Sequence, residues 1–227
     1  MKFKNIFFGF FKTLLLTIIF YSGTLYASYM YLDLQNYQSR SVSPYFFERV
    51  QGTNDLLKVI DMQNNFQFKT YDLTLQTDID LYNAEVKPVL LKWKINVASP
   101  ETESSFASHL SARMEWNIER NLNKGLLPRE VHVAIYEGNI ESISYMENPA
   151  MQVPKIDIIV ANPEGLIVAQ TTTVKGGGSA LLDYIAQSYK EKNIERIRLY
   201  ASKDEYYAQR GWKIEPYSGS SCGDPLS

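Results

Sequence analysis

The chain has 227 residues, 45% of them hydrophobic, with one cysteine, two histidines and a formal net charge of −2. That composition supports a packed core and argues against disorder throughout, and the length suits one ordinary domain with extra segments. The lone Cys222 excludes an intrachain disulfide and a cysteine-rich zinc site, His109 and His132 lack metal-ligand spacing, and the balanced charge lacks the basic stripe of a nucleic-acid binder.

Lys2, Lys4 and Lys12 precede an uncharged run, residues 13–32, followed by Asp33. Twenty such residues can span a hydrocarbon core, and the charge bias places the N-terminus in the cytoplasm. Two readings of residues 1–32 stay open. One is a signal peptide cut after Ala27; the other is an uncleaved transmembrane anchor whose Tyr26, Tyr29 and Tyr31 form an interfacial belt. The protein is thus expected to be membrane-anchored or exported, with the side of the membrane open.

Residues 33–85 read as a poorly defined N-terminal region or linker. A short helix over 54–63, capped by Thr53 or Asn54, and an extended piece over 70–81 are the elements its pattern suggests. Residues 86–97 read as a strand, since Val89, Leu91, Trp93, Ile95 and Val97 alternate with Leu90 and polar residues. Ser99-Pro100 marks a turn. Over 103–123 the residues Phe106, Leu110, Met114, Ile118 and Leu122 make one stripe of an amphipathic helix, ended by Lys124-Gly125 and Pro128.

A hairpin follows. Val131, Val133 and Ile135 alternate, Glu137-Gly138-Asn139 supplies turn chemistry, and 140–146 returns. Residues 155–161 (KIDIIVA) read as a buried strand, and the glycine-rich loop 175–178 leads into a helix from Ser179 to about Lys192. Residues 195–201 form a strand, 203–210 a short helix, and the chain returns in a strand to Tyr217 before a disordered tail, 218–227. The order of elements is α/β on a mixed sheet, an α+β arrangement.

The sharpest signal is VKGGGSALLDYI, residues 174–185. Glycines let a backbone approach a ligand closely, and a helix start offers unused N–H groups and a positive dipole end suited to a diphosphate. The spacing is neither a Walker loop nor a dinucleotide fingerprint.

Further on, RLYASKDEYYAQRGW occupies residues 198–212. Together the two segments resemble the GNAT acetyltransferase superfamily, which moves an acetyl group from acetyl-coenzyme A to an amine. The family's phosphate loop, [R/Q]-x-x-G-x-[G/A], is matched by Thr173 to Gly178, with Thr173 where the family carries Arg or Gln. Its aromatic-Tyr-x-x-x-Gly-aromatic segment is matched by Tyr206 to Trp212. The Asn162-Pro163 turn and the hairpin over 131–146 also fit. The resemblance covers about residues 130–217, with 86–123 as a weaker match to the family's first strand and helix, so that 86–217 would be one GNAT-like acyl-CoA N-acyltransferase domain.

The resemblance implies roles. Backbone N–H groups of Val174, Lys175, Gly176, Gly177, Gly178, Ser179 and Ala180 would hold the diphosphate of acetyl-CoA, with Lys175 adding charge and no metal required. Strand 155–161 would splay from strand 195–201 to admit the pantetheine arm. Tyr207 would protonate the departing thiolate, and Asp157 or Glu141 would take the proton of an unidentified amine acceptor. Other readings are a GNAT-fold binding or regulatory module without catalysis, and a membrane-tethered interaction protein working through residues 33–85. Acetyl-CoA is a cytosolic metabolite, so an exported enzyme would need delivery into another cell, as a secreted effector.

Overall fold

The computed structural model describes residues 28–40, 42–95, 100, 102–125 and 128–216. They fall into two units, a larger one spanning Tyr31–Leu199 and a smaller one containing residues 28–30 and 200–216. Residues 1–27 lie outside the description, as do the tail from 217 and the Ser of the Ser99-Pro100 turn.

The larger unit is built on a mixed sheet. Its strands are β1 (Ser28–Asp33, which begins in the smaller unit), β4 (Gln67–Asp72), β5 (Arg129–Tyr136), β6 (Asn139–Glu147), β7 (Lys155–Ala161) and β8 (Arg196–Ala201, which ends in the smaller unit). Their order is β4-β5-β6-β7-β8-β1. Strands β4 to β7 are antiparallel neighbours, whereas β7 and β8 run parallel. A separate ribbon pairs β2 (Tyr45–Arg49) with β3 (Leu56–Ile60). The helices are α1 (Gln76–Leu81), α2 (Lys87–Lys94), α3 (Glu103–Lys124) and α4 (Gly177–Glu191).

Alternation decides what each face of the sheet carries. On one side Val131, Val133, Ile143, Tyr145, Ile158 and Val160 form a core with Leu90 and Trp93 of α2 and Met114 and Ile118 of α3. Among the intervening positions, His132, Ala134, Ser142 and Ser144 are buried outside that cluster, and α4 packs over β5, β6 and β7. Helix α3 has Thr102 as its N-cap, accepting from Ser105 N at 3.1 Å, and Gly125 at φ 59 ends it. Its buried stripe runs through Ser104, Ala107, Ser111, Met114 and Ile118, so the helix is rotated from the expected stripe and Phe106 is left 48% exposed.

The hairpin, the strand 155–161, the helix after the glycines and the strand near 195–201 stand where the pattern puts them. The β5–β6 turn is closed by Glu137 and Gly138, both at positive φ (47 and 80), so Glu rather than Asn takes the left-handed position.

Several expectations are corrected. Residues 33–85 are no linker: they supply β2, β3 and β4, and β4 is the sheet's edge beside β5. The helix expected over 54–63 is strand β3; Thr53 Oγ1 does accept an N–H, but from Asp55 in the tight β2–β3 turn. The piece over 70–81 is extended only to Asp72 and then helical. The strand expected over 86–97 is helix α2, preceded by a π-turn at Tyr82–Val86. Val86, Leu90 and Trp93 are buried at helical spacing, and Pro88 sits in its first turn, where a missing N–H costs nothing. The expected match of 86–97 to a first strand therefore fails, since Lys87–Lys94 is helical.

Residues 28–32, the end of the uncharged run, belong to β1, with Met30 and Leu32 buried. Tyr29 and Tyr31 are strand residues and form no interfacial belt, and the candidate membrane segment shortens to residues ending at Ala27. No helix among the described residues is long and apolar enough to cross a membrane.

The smaller unit joins the start of β1 to α5 (Asp204–Ala208) and β9 (Lys213–Ile214), a strand shorter than expected. Ser28 Oγ donates to Asp204 Oδ2 at 3.0 Å and Glu215 N donates to Tyr29 O at 2.9 Å. Tyr207 packs edge-on between Tyr206 and Trp212, with ring centroids 5.0 and 6.0 Å away.

Candidate active site

Strands β7 and β8 are paired over two positions, Lys155↔Arg198 and Ile156↔Leu199, while β7 stays paired with β6 as far as Ala161. The β7–β8 register runs to Leu199, the last residue of the larger unit, and β7 continues beside β6. Its far end leads through Asn162 and the 3-10 turn Pro163–Leu166 to the glycine segment.

The glycines are the first turn of α4 rather than a loop before it. Gly176 is the N-cap at φ 102, a left-handed conformation that a side chain resists, and Ala180 N donates to Gly176 O at 2.9 Å. Gly177 packs on β6: a Cβ there would stand 3.1 Å from Glu141 Cβ and 3.3 Å from Glu141 O. Gly178 has ordinary clearance to Ala161 and Ser142.

Of the row of amides expected to face a ligand, two are used internally. Lys175 N donates to Tyr45 O at 2.8 Å, and Ala180 N closes the helix turn. The Lys175 ammonium hydrogen-bonds Gly165 O and lies 5.5 Å from the Phe47 ring centroid; burial lowers its pKa, against the opposing pull of Glu103. Val174 is buried, and Ser179 has a partner of its own. Gly177, which is buried, and Gly178, which is half-buried, are the first residues of α4, where an N–H has no partner within the helix itself.

An N-terminal strap covers part of this turn. Asp183 in α4, 8% exposed, accepts from Tyr37 Oη (2.6 Å), Arg40 N (2.8 Å) and Ser39 Oγ (3.0 Å). The chain then passes Gly176, whose Cβ position would be 3.3 to 3.4 Å from Val42, Ser43 and Tyr45, and bridges through Tyr45 to Lys175.

Glu141 stands beside the same turn. It is 8% exposed and accepts from Asn162 Nδ2 at 3.0 Å. Burial, with the charge of Glu164, raises its pKa to about 7 against the Asn162 hydrogen bond and Lys92. It borders a cleft of about 360 Å³ whose walls include Phe46, Trp93, Tyr136, Asn162, Glu164 and Val174. A buried carboxylate poised near neutrality at a cleft can exchange protons with a bound group.

Asp157 lies elsewhere along the ladder. Between Met146↔Ile156 and Tyr145↔Ile158 it is the extra residue of a β-bulge. It accepts from Asn117 Nδ2 of α3 at 3.0 Å and pairs with Lys155 at 3.3 Å. Glu141, next to Ser142↔Ala161, is several positions away, so the two candidate bases are not brought together. Tyr207 belongs to the smaller unit; burial, with Tyr206 nearby, pushes its hydroxyl to about 12. Sequence reasoning missed the strap, since nothing in Val42–Tyr45 marks a partner about 130 residues away.

No family model matches the chain, and no curated protein does. Solved structures of low identity do resemble it. One is a tandem GNAT protein from the clavulanic acid biosynthesis pathway, solved without acetyl-CoA: 12% identity, 83% of this chain, TM-score 0.40. The chain spans 50% of that protein's length. Another is the PaiA N-acetyltransferase of Thermoplasma acidophilum in complex with coenzyme A: 15% identity, 69% of this chain and 94% of that one, TM-score 0.38. A third is a GCN5-related N-acetyltransferase from Ralstonia eutropha JMP134: 13% identity, 70% and 99% of the chains, TM-score 0.37. The chain thus resembles GNAT-fold proteins, and the chemistry rests on its own residues.

Proposed function

We propose that the protein is an N-acyltransferase that moves an acetyl group from acetyl-CoA to an amine of a small molecule or protein. The observation that carries this reading is the start of α4 seated on β6 at Glu141: the first-turn amides of Gly177 and Gly178 stand beside a carboxyl held near neutrality. The amides and the dipole of α4 suit the diphosphate. Glu141 takes the ammonium's proton, directly or through one water. The amine nitrogen then attacks the thioester carbonyl, a carbon–nitrogen bond forms, the carbon–sulfur bond breaks, and the nitrogen's second proton passes to solvent to leave the neutral amide. Tyr207, protonated at neutral pH, is the candidate donor to the departing thiolate. Asp157, engaged by Asn117 and Lys155, is the lesser candidate base. The lysines and apolar run before Ala27 would tether the protein to a membrane.

A second reading has its own support. The strap leaves Gly176 close-packed under Val42 to Tyr45, as in a module that keeps the fold without turning over. Thermal unfolding of the full chain with acetyl-CoA separates the cases. Binding at a hundred times Kd adds about 2.7 kcal/mol to stability. No shift at millimolar ligand removes the enzyme. A shift with acetyl transfer that Glu141→Gln reduces about 10²–10⁴-fold supports it; a shift without any turnover leaves the binding module.

A further inference from the structure

The outer face of α3 is not used by the fold or by the proposed site. Phe106, His109, Arg113, Trp116 and Arg120 recur every three or four residues and are all exposed, Phe106 at 48% and Trp116 at 56%. On a 22-residue helix they form one outward stripe, continued by Lys124. The Arg120 guanidinium lies 5.1 Å from the Trp116 ring centroid. The acids of the helix flanks are already matched, Glu115 by Lys94 at 3.1 Å and Glu119 by Lys87 at 2.7 Å. No carboxylate among the described residues pairs with Arg113, Arg120 or Lys124. Glu103 is the one acid on the stripe itself, in the first turn. Helix α2 adds three lysines and no acid, so this layer is positive although the chain's net charge is −2.

We propose that the α3 stripe is a membrane-contact face that lies on an anionic lipid surface. Aromatic rings set singly between cations suit a bilayer interface: the rings sink to the acyl boundary while the guanidinium and ammonium heads stay at the phosphates. A dry protein interface calls instead for a contiguous apolar centre with charges at its rim. Charge complementarity selects the anionic leaflet, where each cation near the surface contributes about 1 kcal/mol, a factor of roughly five in binding. The sequence outside the described residues agrees, since Lys2, Lys4, Lys12 and the uncharged residues 13–27 also favour a bilayer.

The three tryptophans make the test specific. Trp93 and Trp212 are buried at 3% and 4%, residues 1–27 contain no tryptophan, and Trp116 alone is exposed. The full chain is mixed with vesicles of brominated phosphatidylglycerol or brominated phosphatidylcholine, and tryptophan fluorescence is read. The expected result is quenching and a blue shift with the anionic vesicles alone, lost in Trp116→Phe, and weakened roughly five-fold by each of Arg113→Gln and Arg120→Gln. Insertion of the N-terminal segment alone would attach the chain to both vesicle types without quenching Trp116, and that outcome overturns the proposal. So does equal quenching by both lipids, or indifference to the arginine changes. Self-association without lipid that Arg113→Gln abolishes would give the face to a second copy and equally refute the lipid assignment.

Discussion

The two faces of the central sheet are held by different physics. The α2–α3 face is large and apolar, with Val131, Val133, Ile143, Tyr145, Ile158 and Val160 set against Leu90, Trp93, Met114 and Ile118. The α4 face mixes buried polar groups, Ser142, Ser144 and His132, with apolar ones such as Met146. Ser142 donates to Val160 O at 2.9 Å, and His132 Nδ1 lies 2.8 Å from Thr70 Oγ1, which reaches Tyr184 at 3.2 Å. His132 Nε2 stands 3.2 Å from Glu130 Oε2, near enough for an ion pair when the ring is protonated but misaligned for a hydrogen bond. Burial would raise the pKa of Glu130; His132, Tyr189 and Lys192 hold it at about 2 instead. The apolar face supplies stability. The α4 face, with serines where bulk would stand, lets α4 lie close enough for its glycine start to touch β6.

That contrast can be broken from either side. The largest expected effect is Met114→Ala on the apolar face: a fully buried side chain lost from a close-packed core costs about 2–5 kcal/mol in urea unfolding. Gly177→Ala follows, at about 1–3 kcal/mol, because the added carbon would stand 3.1 Å from Glu141 Cβ and 3.3 Å from Glu141 O, and β6 would have to give by a few tenths of an ångström. A cost near zero would mean α4 is not tightly seated.

Glu141→Gln comes next and has a sign set by pH. Folding raises the Glu141 pKa from the ordinary 4.5 to about 7. Between those values the folded state holds a proton that the unfolded state releases, so stability falls as pH climbs through that window. Glutamine removes the penalty. The variant should melt higher than the parent by roughly 1–2 kcal/mol well above pH 7, discounted for residual solvent screening, and show little difference below pH 4.5. If Glu141 is also the proton acceptor in turnover, the same substitution lowers, by about 10²–10⁴-fold, a rate that otherwise rises through about pH 7 in kcat/KM. The smallest effect is Ser144→Ala. Its hydroxyl is buried with no partner, so its removal should be neutral or stabilise by up to about 1 kcal/mol in the same urea assay.

The parts legible in the sequence are those whose partners are near in sequence. Residues 131–146 form a hairpin, each strand with its own alternation and a turn between them, and 155–161 extends it by one strand. The glycine run marks the start of a helix, but the pattern puts that start at Ser179 whereas the helix begins at Gly177. Residues 86–97 misled because Val89, Leu90, Leu91 and Trp93 satisfy both a two-residue and a helical period; Pro88 was the clue that favoured the helix. Residues 54–63 misled because Thr53 opens a hairpin turn as readily as a helix. At the site, Glu141 was nameable as a carboxylate near the family's strands, but its burial and its contact with Gly177 arise from tertiary packing that no local pattern encodes. Asp157, the first-named candidate base from the sequence, sits at a β-bulge and is engaged by Asn117 and Lys155.

The strap's attachment to the helix start has a consequence for how the molecule assembles. Its bridge, Tyr45 to Lys175, joins residues about 130 positions apart, whereas β5, β6 and β7 meet over short spans. Closing a long loop costs more chain entropy, so this contact forms late and opens first. During synthesis and refolding, Gly176 and Lys175 are therefore free of the strap until after the β5–β7 meander has condensed. Backbone deuterium uptake at Tyr45 and Lys175 should run together and ahead of that in β5 and β6.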